Sequence, residues 1–188
     1  DSLIAELGKA GISSRFVKVG VAPSGHAVIQ VDEEGRNSIV ISAGANRELD
    51  SELIQDTILR LEDTDWLLLQ NETNGIAEAI ELAARKGKKV AINIAPADER
   101  MFDYPLSKVA LIIVNELEAM ALSSTSSPQL AFDSLIKAYP EIDIVLTLGE
   151  EGVWSYRAKD SARKGMGSFK IDATDETAAG DSFIGYLM

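Results

Sequence analysis

The sequence predicts an α/β protein in which a parallel-rich central sheet is layered between helices, together with a small antiparallel sheet. Beyond residue 50, segments with helical periodicity alternate with short apolar segments, as in repeated βαβ units. Before residue 50, Val- and Ile-rich segments follow one another without a helical pattern between them. A chain of 188 residues with 46% hydrophobic content can bury one sizeable core. We therefore expect one principal domain with a small appendage.

The first part of the chain predicts a helix followed by short strands. Leu3, Ile4 and Leu7 have helical spacing, and Gly8 and Gly11 lie where that helix would end. Three strands are then predicted, at residues 15–21, 27–32 and 38–42. The acidic residues and glycine at 32–35 form the predicted turn between the second and third strands.

The rest of the chain predicts alternating helices and strands. Helices are expected around Ile54 to Leu61, Ile76 to Ala84 and residues 128–138, and a last helix begins near Ala178. Apolar strands, each expected to be buried, are predicted at 66–69, 89–94, 109–114 and 142–148. A hairpin is predicted from residues 152–156 and 168–171.

Composition excludes several classes of function. The 18 Lys and Arg against 30 Asp and Glu give a net charge of −12, which repels nucleic acid and anionic lipid, so neither is an expected partner. Cysteine is absent and His26 is the single histidine, which excludes disulfides, cysteine nucleophiles and multi-histidine zinc sites. No apolar run reaches the roughly 20 residues of a membrane span, and no signal-peptide pattern opens the chain. We expect a cytoplasmic protein.

The segment from Asp175 to Phe183 carries the sharpest chemical signal. Small residues stand between a polar turn and an apolar helix, where an anion can reach the free N–H groups of the helix start. An aspartate inside such a cradle, Asp181, repels the anion unless it has a function of its own. By spacing alone, a plain helix start with Asp181 as a first-turn acid is an equally good interpretation.

Two further patterns follow predicted strands, and each has a purely structural alternative. Asn115 and Glu118 are three residues apart, which suits a hydrated magnesium ion with phosphate oxygens but equally an ordinary capping box. The segment Thr147 to Gly152 has two glycines that let the main chain bend round a ligand, or simply form a tight turn.

Taken together and in order, these motifs resemble those of the ribokinase (PfkB) family of carbohydrate kinases. The run Asp175-Glu176-Thr177-Ala178-Ala179-Gly180-Asp181 is similar to the family signature, with Glu176 where threonine is common. The resemblance implies that Ala178, Ala179, Gly180 and Asp181 form the anion hole for the transferred phosphoryl group. It also implies that Asp181 accepts the proton of the sugar hydroxyl, and that Asp175 and Thr177 bind a monovalent cation such as K⁺.

The resemblance assigns the other motifs to nucleotide, metal and sugar. Asn115 is implied in binding the ATP phosphates, and Glu118 in binding Mg²⁺ through water. The nucleotide-contacting loop is implied to comprise Thr147, Leu148, Gly149, Glu150, Glu151 and Gly152. Glu72 resembles a family position that hydrogen-bonds the sugar, although a solvated loop glutamate is an equal alternative. His26 is expected to be a surface or packing residue.

The resemblance further implies a three-layer αβα fold with a β lid at residues 15–42, a return loop at 43–49, and a core from residues 1–14 and 50–188. The implied reaction is ATP-dependent phosphorylation of a primary sugar hydroxyl, with ribose first and fructose, 2-keto-3-deoxygluconate or a nucleoside as alternatives. Exposed apolar residues of the lid, such as Val28 and Val31, suggest a homodimer.

We expect the chain to be incomplete at both ends. It starts without Met, and both the family's early glycine-rich sugar motif and its closing adenine-contacting segment are missing from these 188 residues. The chain alone is therefore expected to lack kinase activity. A nucleotide- or phosphate-binding fragment without catalysis is the alternative function.

Overall fold

The computed structural model describes residues 2–31, 37–170 and 178–188. It opens with helix α1 (Ser2–Lys9), as predicted, and a two-stranded antiparallel sheet of β1 (His26–Val31) and β2 (Asn37–Ser42). The register of this sheet pairs Val28 with Val40. A short 3-10 helix (Gly44–Arg47) then leads into α2 (Ser51–Leu59), whose N-cap Asp50 accepts a hydrogen bond from the Leu53 amide.

The main sheet has six strands in chain order. They are β3 (Trp66–Gln70), β4 (Lys89–Asn93), β5 (Leu111–Asn115), β6 (Asp143–Thr147), β7 (Val153–Arg157) and β8 (Ala162–Met166). The first four are parallel to one another, and β7 and β8 continue the sheet in antiparallel fashion. Helices connect the parallel strands, as a parallel arrangement requires: α3 (Ile76–Arg85), α4 (Glu116–Ser123) and α5 (Pro128–Ala138).

The larger core lies between one face of this sheet and helices α2 to α5. Alternate residues of each strand point to this face, for example Ile92 of β4, Ile112 of β5 and Ile144 of β6. They pack with fully buried helix residues such as Ile80 and Leu135. Successive residues of a strand point to opposite faces of the sheet, and both faces are covered. Each of these strands is therefore apolar at nearly every position.

A smaller core lies on the opposite face of the sheet, under α6 (Ala179–Leu187). Ala91, Ile113 and Val145 point to this face, and Ile184 of α6 packs on them. The sheet therefore lies between two helical layers, and the predicted fold class is confirmed. None of the helices in the described ranges is long and apolar enough to cross a membrane.

The predicted strand at residues 15–21 is wrong. Arg15 and Phe16 form a turn, and residues 17–22 are bends or irregular chain. Val17, Val19 and Val21 are exposed. No described strand pairs with this segment, and strand propensity alone does not make a strand without a ladder partner. Within the predicted lid at 15–42, the sheet itself runs from residue 26.

The predicted second arm of the hairpin at 168–171 is also wrong. β8 starts earlier, at Ala162, and pairs with Arg157 across a turn in which Arg157 donates to Asp160. Ser168 to Lys170 form no strand, and Ile171 lies outside the described residues. The strand was missed because its sequence, Ala-Arg-Lys-Gly-Met, is polar and lies exposed at the sheet edge.

The expectation that residues 66–69 are fully buried is wrong as well. Within the described chain, β3 is the other edge of the sheet and hydrogen-bonds only to β4. Trp66 and Leu68 are accordingly 39% and 45% exposed. The strand predicted at 109–114 begins at Leu111 instead, because residues 106–108 form a short 3-10 helix with Val109 as its C-cap.

Candidate active site

A row of polar side chains marks the carboxyl ends of the four parallel strands. Gln70, Asn93, Asn115 and Thr147 are the last residues of β3, β4, β5 and β6. The strand register places Gln70 beside Asn93 and Asn115 beside Thr147. Because ligands of open α/β sheets bind outside the carboxyl ends of the strands, this edge is where a substrate site is expected.

The start of α6 lies over the same edge. Gly180 and Asp181 line a cleft of about 130 Å³ together with Gln70, Asn93, Asn115, Glu118 and Thr147. An adjoining cleft of about 250 Å³ is lined by Gln70, Asn93 and Asp181, with apolar residues of β3 and α6. The fold thus brings three of the predicted motifs into one cleft, although they are far apart along the chain.

The start of α6 has the features of an anion site. Ala178 adopts a left-handed conformation with φ 59°, and the amide of Ser182 donates to its carbonyl in the first helical turn. The amides of Ala179, Gly180 and Asp181 precede that bond and have no intrahelical acceptor. Gly180 presents no side chain, and a Cβ placed there would meet no described residue within 4 Å, so the described part of the chain leaves room beside this helix turn.

Asn115 and Glu118 form a complete capping box at the start of α4. The Glu118 amide donates to Asn115 Oδ1 at 2.9 Å, while the Asn115 amide and Nδ2 each donate to one Glu118 carboxylate oxygen at 2.9 Å. Glu118 is buried, at 5% exposure. Burial raises the pKa of its carboxyl group, and the two Asn115 hydrogen bonds partly oppose that rise. The capping box that the spacing allowed is therefore formed, and the metal role of Asn115 and Glu118 stays a prediction.

The loop from Thr147 to Gly152 contributes to the site mainly through its first residue. Thr147 lines the cleft, whereas the Leu148 side chain is buried in the core. Gly149 to Glu151 form a short 3-10 helix in which both glutamates are exposed. The Leu148 amide donates to the Gly152 carbonyl at 2.8 Å, which closes the loop as a tight turn. The nucleotide contacts of Leu148 to Gly152 stay a prediction.

Glu72 lies in the loop after β3 and is exposed. It is not among the described residues that line either cleft. The main chain on both sides of it is held by Arg100, which donates to the carbonyls of Asn71 at 2.9 Å and Thr73 at 3.2 Å. The fully buried Asn71 side chain accepts from the Tyr104 hydroxyl and donates to the Pro96 carbonyl. The main chain of the loop is therefore held on both sides of the exposed Glu72 side chain.

Gln70 and Asn93 are site residues that the sequence reasoning missed. Each is a single amide side chain at the end of an apolar strand, so a signal was present in the sequence. A lone amide at a strand end belongs to no recognisable motif, and it is the strand pairing that brings these two side chains together. His26, by contrast, is exposed on β1, as expected for a surface residue.

The candidate metal positions lie partly at the start of α4 and partly outside the described residues. Asp175 and Thr177, the predicted monovalent-cation ligands, lie outside the described residues. Across the ranges that are described, no cluster of three or more His, Cys, Asp or Glu side chains could hold a metal ion. A divalent ion here would need oxygen ligands from water or substrate in addition to Glu118 and the Asn115 amide oxygen.

Known proteins are similar to this chain in both sequence and fold. A ribokinase of Haemophilus influenzae is 35% identical over 171 residues, which cover 86% of this chain and 54% of that protein. A deoxyribokinase of Salmonella typhi is 31% identical over 195 residues, covering 98% of this chain and 62% of that protein. The chain therefore spans a little over half the length of these relatives.

Solved structures give the same result. A ribokinase from Thermotoga maritima superposes with a TM-score of 0.78 at 33% identity, over 98% of this chain and 61% of that one. A ribokinase from Cryptococcus neoformans in complex with ADP gives a TM-score of 0.79 at 25% identity, over 99% of this chain and 65% of that one. The sequence profile described as "pfkB family carbohydrate kinase" matches residues 1–188. With its motifs gathered at one sheet edge, the chain belongs to the pfkB family of carbohydrate kinases.

Proposed function

We propose that the protein containing this chain transfers the γ-phosphoryl group of ATP to a primary hydroxyl of a sugar. The observation that carries this proposal is the shared cleft, where Asp181 and the open amides at the start of α6 meet Asn115, Glu118 and Thr147. A carboxylate beside an anion-binding helix start is the arrangement needed when an alcohol is to attack a bound phosphate.

The proposed step has a simple balance of bonds. The sugar hydroxyl gives its proton to the Asp181 carboxylate as its oxygen forms a bond to the γ-phosphorus, and the bond between that phosphorus and the β–γ bridging oxygen breaks to release ADP. The amides of Ala179, Gly180 and Asp181 stabilise the charge on the transferred group. A carboxylate is a weak base for a free alcohol, but phosphoryl transfer depends more on positioning than on basicity.

The chain offers oxygen ligands that fit magnesium. Asn115 and Glu118 would hold Mg²⁺, Glu118 through water, and the ion would neutralise phosphate charge. Mg²⁺ keeps several water ligands in most proteins, which suits a site with one buried carboxylate and an amide oxygen. Asp175 and Thr177 are proposed to bind a monovalent cation such as K⁺, as the family resemblance implies.

Ribose is the proposed sugar. It is supported by the relatives, which are named ribokinases and, at similar identity, deoxyribokinases. Glu72 is the proposed sugar-binding side chain, and the rigid main chain around it supports a specific role. The lid is proposed to comprise β1, β2 and the segment before them, with the return loop at 43–49, and to pair with a second copy.

The substitution Asp181→Asn in the full-length protein tests the catalytic assignment. We expect kcat to fall by at least roughly 10²-fold, the lower range for a positioned acid or base. ATP affinity should change little or improve because a charge that repels the phosphates is removed. The measurement is a single-turnover rate at saturating ATP and sugar.

Glu52→Gln is the matched control, because Glu52 occupies the first turn of α2 as Asp181 occupies that of α6. It should retain a near-normal rate. If Asp181 were only a first-turn acid, Asp181→Asn would behave in the same way, with a stability loss of about 0.3–1 kcal/mol and turnover retained. That result would rule out Asp181 as the base.

A further inference from the structure

Gln70 and Asn93 join the candidate base to the sheet. They lie side by side as the last residues of β3 and β4, and Asn93 is buried at 7% exposure. Both side chains line the two clefts that Asp181 also lines. Neither has a place in the reaction proposed above, so their contacts need a separate explanation.

The orientation of the Asn93 amide is fixed by its buried partner. Its Nδ2 donates to the main-chain carbonyl of Ile113 at 3.2 Å. A carbonyl oxygen can only accept, so the amide nitrogen must face Ile113 and the amide oxygen must face the other way. That oxygen accepts from Gln70 Nε2 at 3.1 Å.

The orientation of the Gln70 amide follows from that of Asn93. Since Asn93 presents an acceptor, Gln70 must present its nitrogen, which carries two hydrogens. The same Nε2 lies 3.4 Å from Asp181 Oδ1. Contacts at catalytic groups are often long without substrate and shorten when substrate binds. A hydrogen-bond chain thus runs from the Ile113 carbonyl to the carboxylate on α6, which is 111 residues from Gln70.

We infer that Gln70 is a positioning residue for Asp181, held in its donating orientation by Asn93. The Gln70 amide engages Oδ1 and leaves Oδ2 free to accept the proton of the sugar hydroxyl. A carboxylate on an exposed helix turn would otherwise sample several rotamers, and only some of them present a lone pair to the substrate. This inference rests on the proposed kinase function for its catalytic consequence, but not for the contact itself.

The contact is tested by NMR on the full-length protein, independently of activity. The side-chain amide signals of Gln70 are recorded in the wild type and in Asp181→Asn. We expect them to shift in the variant, because the acceptor loses its charge. Unchanged Gln70 signals would overturn the inference whatever the enzyme's activity.

The consequence is tested by the kinetics of Gln70→Met, which keeps the approximate length but removes the donor, and of Gln70→Glu, which replaces it with a repelling carboxylate. We expect kcat to fall by roughly 10- to 100-fold in both, the range for a misplaced catalytic group, with KM for ATP and sugar within about twofold. Adding Gln70→Met to Asp181→Asn should cause no further loss, because Gln70 acts through Asp181.

Gln129→Glu is the matched control, since Gln129 Nε2 donates to Asp133 on α5 at 3.2 Å and neither residue lines the clefts. Its kcat should equal that of the wild type.

A normal kcat in Gln70→Met, or an equal further loss in the double variant, would overturn the positioning role even if the kinase proposal holds. A wild-type protein that phosphorylates no sugar would instead defeat the kinase proposal and, with it, the catalytic consequence; the NMR result would still decide the contact.

Discussion

Glu118 has an observed structural role in the capping box and a proposed role in binding magnesium. Its carboxylate already accepts two hydrogen bonds from Asn115, and it is buried at the edge of the cleft. Burial raises the pKa of the carboxyl group, so ionised Glu118 is costly for the folded state unless a cation lies nearby. A magnesium ion would favour the charged form, which gives a physical reason for a buried acid at this position.

The substitution Glu118→Gln in the full-length protein separates these roles. We expect the Mg²⁺ concentration for half-maximal activity to rise by about tenfold or more, as when a supporting group of a metal site is lost. The measurement is a magnesium titration of initial rates at fixed ATP. Glu116→Gln, in the same helical turn, is the control and should leave the titration unchanged. If Glu118→Gln also leaves it unchanged and only lowers the melting temperature, Glu118 is a cap alone.

At the scale of single residues, the sequence could name Asp181, Asn115 and Glu118 because each belongs to a short pattern. It could not show that the buried Asn71 side chain is matched by Tyr104, whose pKa is raised chiefly by burial. A partner 33 residues away carries no local signature. Such pairs are decided by how the loops pack.

The turn between β6 and β7 is the element on which the Thr147 to Gly152 motif depends. Gly149 and Gly152 both have positive φ, at 53° and 104°. Their surroundings differ: a Cβ at Gly149 would meet none of the described residues within 4 Å, whereas one at Gly152 would lie 2.0 Å from the Met166 carbonyl oxygen. Gly152 is therefore required both by its conformation and by the close approach of the chain after β8.

We predict that Gly152→Ala destabilises the protein more than Gly149→Ala does. Gly149→Ala adds only the cost of a left-handed alanine, about 1–2 kcal/mol. Gly152→Ala adds a clash with the main chain, and overpacking of this kind costs about 1–3 kcal/mol more. Urea unfolding of the two full-length variants measures the difference in free energy of unfolding. Equal losses would mean that the chain near Met166 moves away without cost.

At the scale of elements, the 3.6-residue periodicity predicted α2, α3 and α5, because each of these helices buries apolar residues in the larger core. Helix α4 carried no such prediction. The strands were harder. β8 is polar and exposed, so its sequence gave no strand pattern, and residues 15–21 have a strand pattern but no partner. Whether a segment becomes a strand depends on a neighbour with free hydrogen-bonding groups, and that neighbour is a property of the fold.

The small sheet of β1 and β2 has no buried residue among those whose burial is described. Val28 and Val40 face each other across the two strands and are 52% and 62% exposed. Two-stranded sheets are marginally stable alone, so an apolar face of this kind gains from a partner. Nothing is described of the Val31 side chain, the other residue named from the sequence.

We predict that Val28→Asp weakens self-association of the full-length protein. Placing a charge in a paired apolar face loses the burial of one valine, about 1.5 kcal/mol or more per copy, so the dimer dissociation constant should rise at least about tenfold. Sedimentation equilibrium measures it. Leu130→Asp, at an exposed apolar residue of α5 outside the lid, should change nothing. A wild type that stays monomeric at high concentration would contradict the lid-pairing proposal.

The sequence by itself determined the alternation of helices and strands, the order of the motifs and hence the family. Those features are local, since periodicity and turn residues act within a few positions along the chain. Only the tertiary structure decided which elements are neighbours. Among the described strands it made β3 an edge strand, gave the hairpin its second arm at Ala162, and brought the Gln70 amide to Asp181 across 111 residues. Strand pairing and sheet order are long-range choices that depend on the burial of the whole chain, and no local pattern records them.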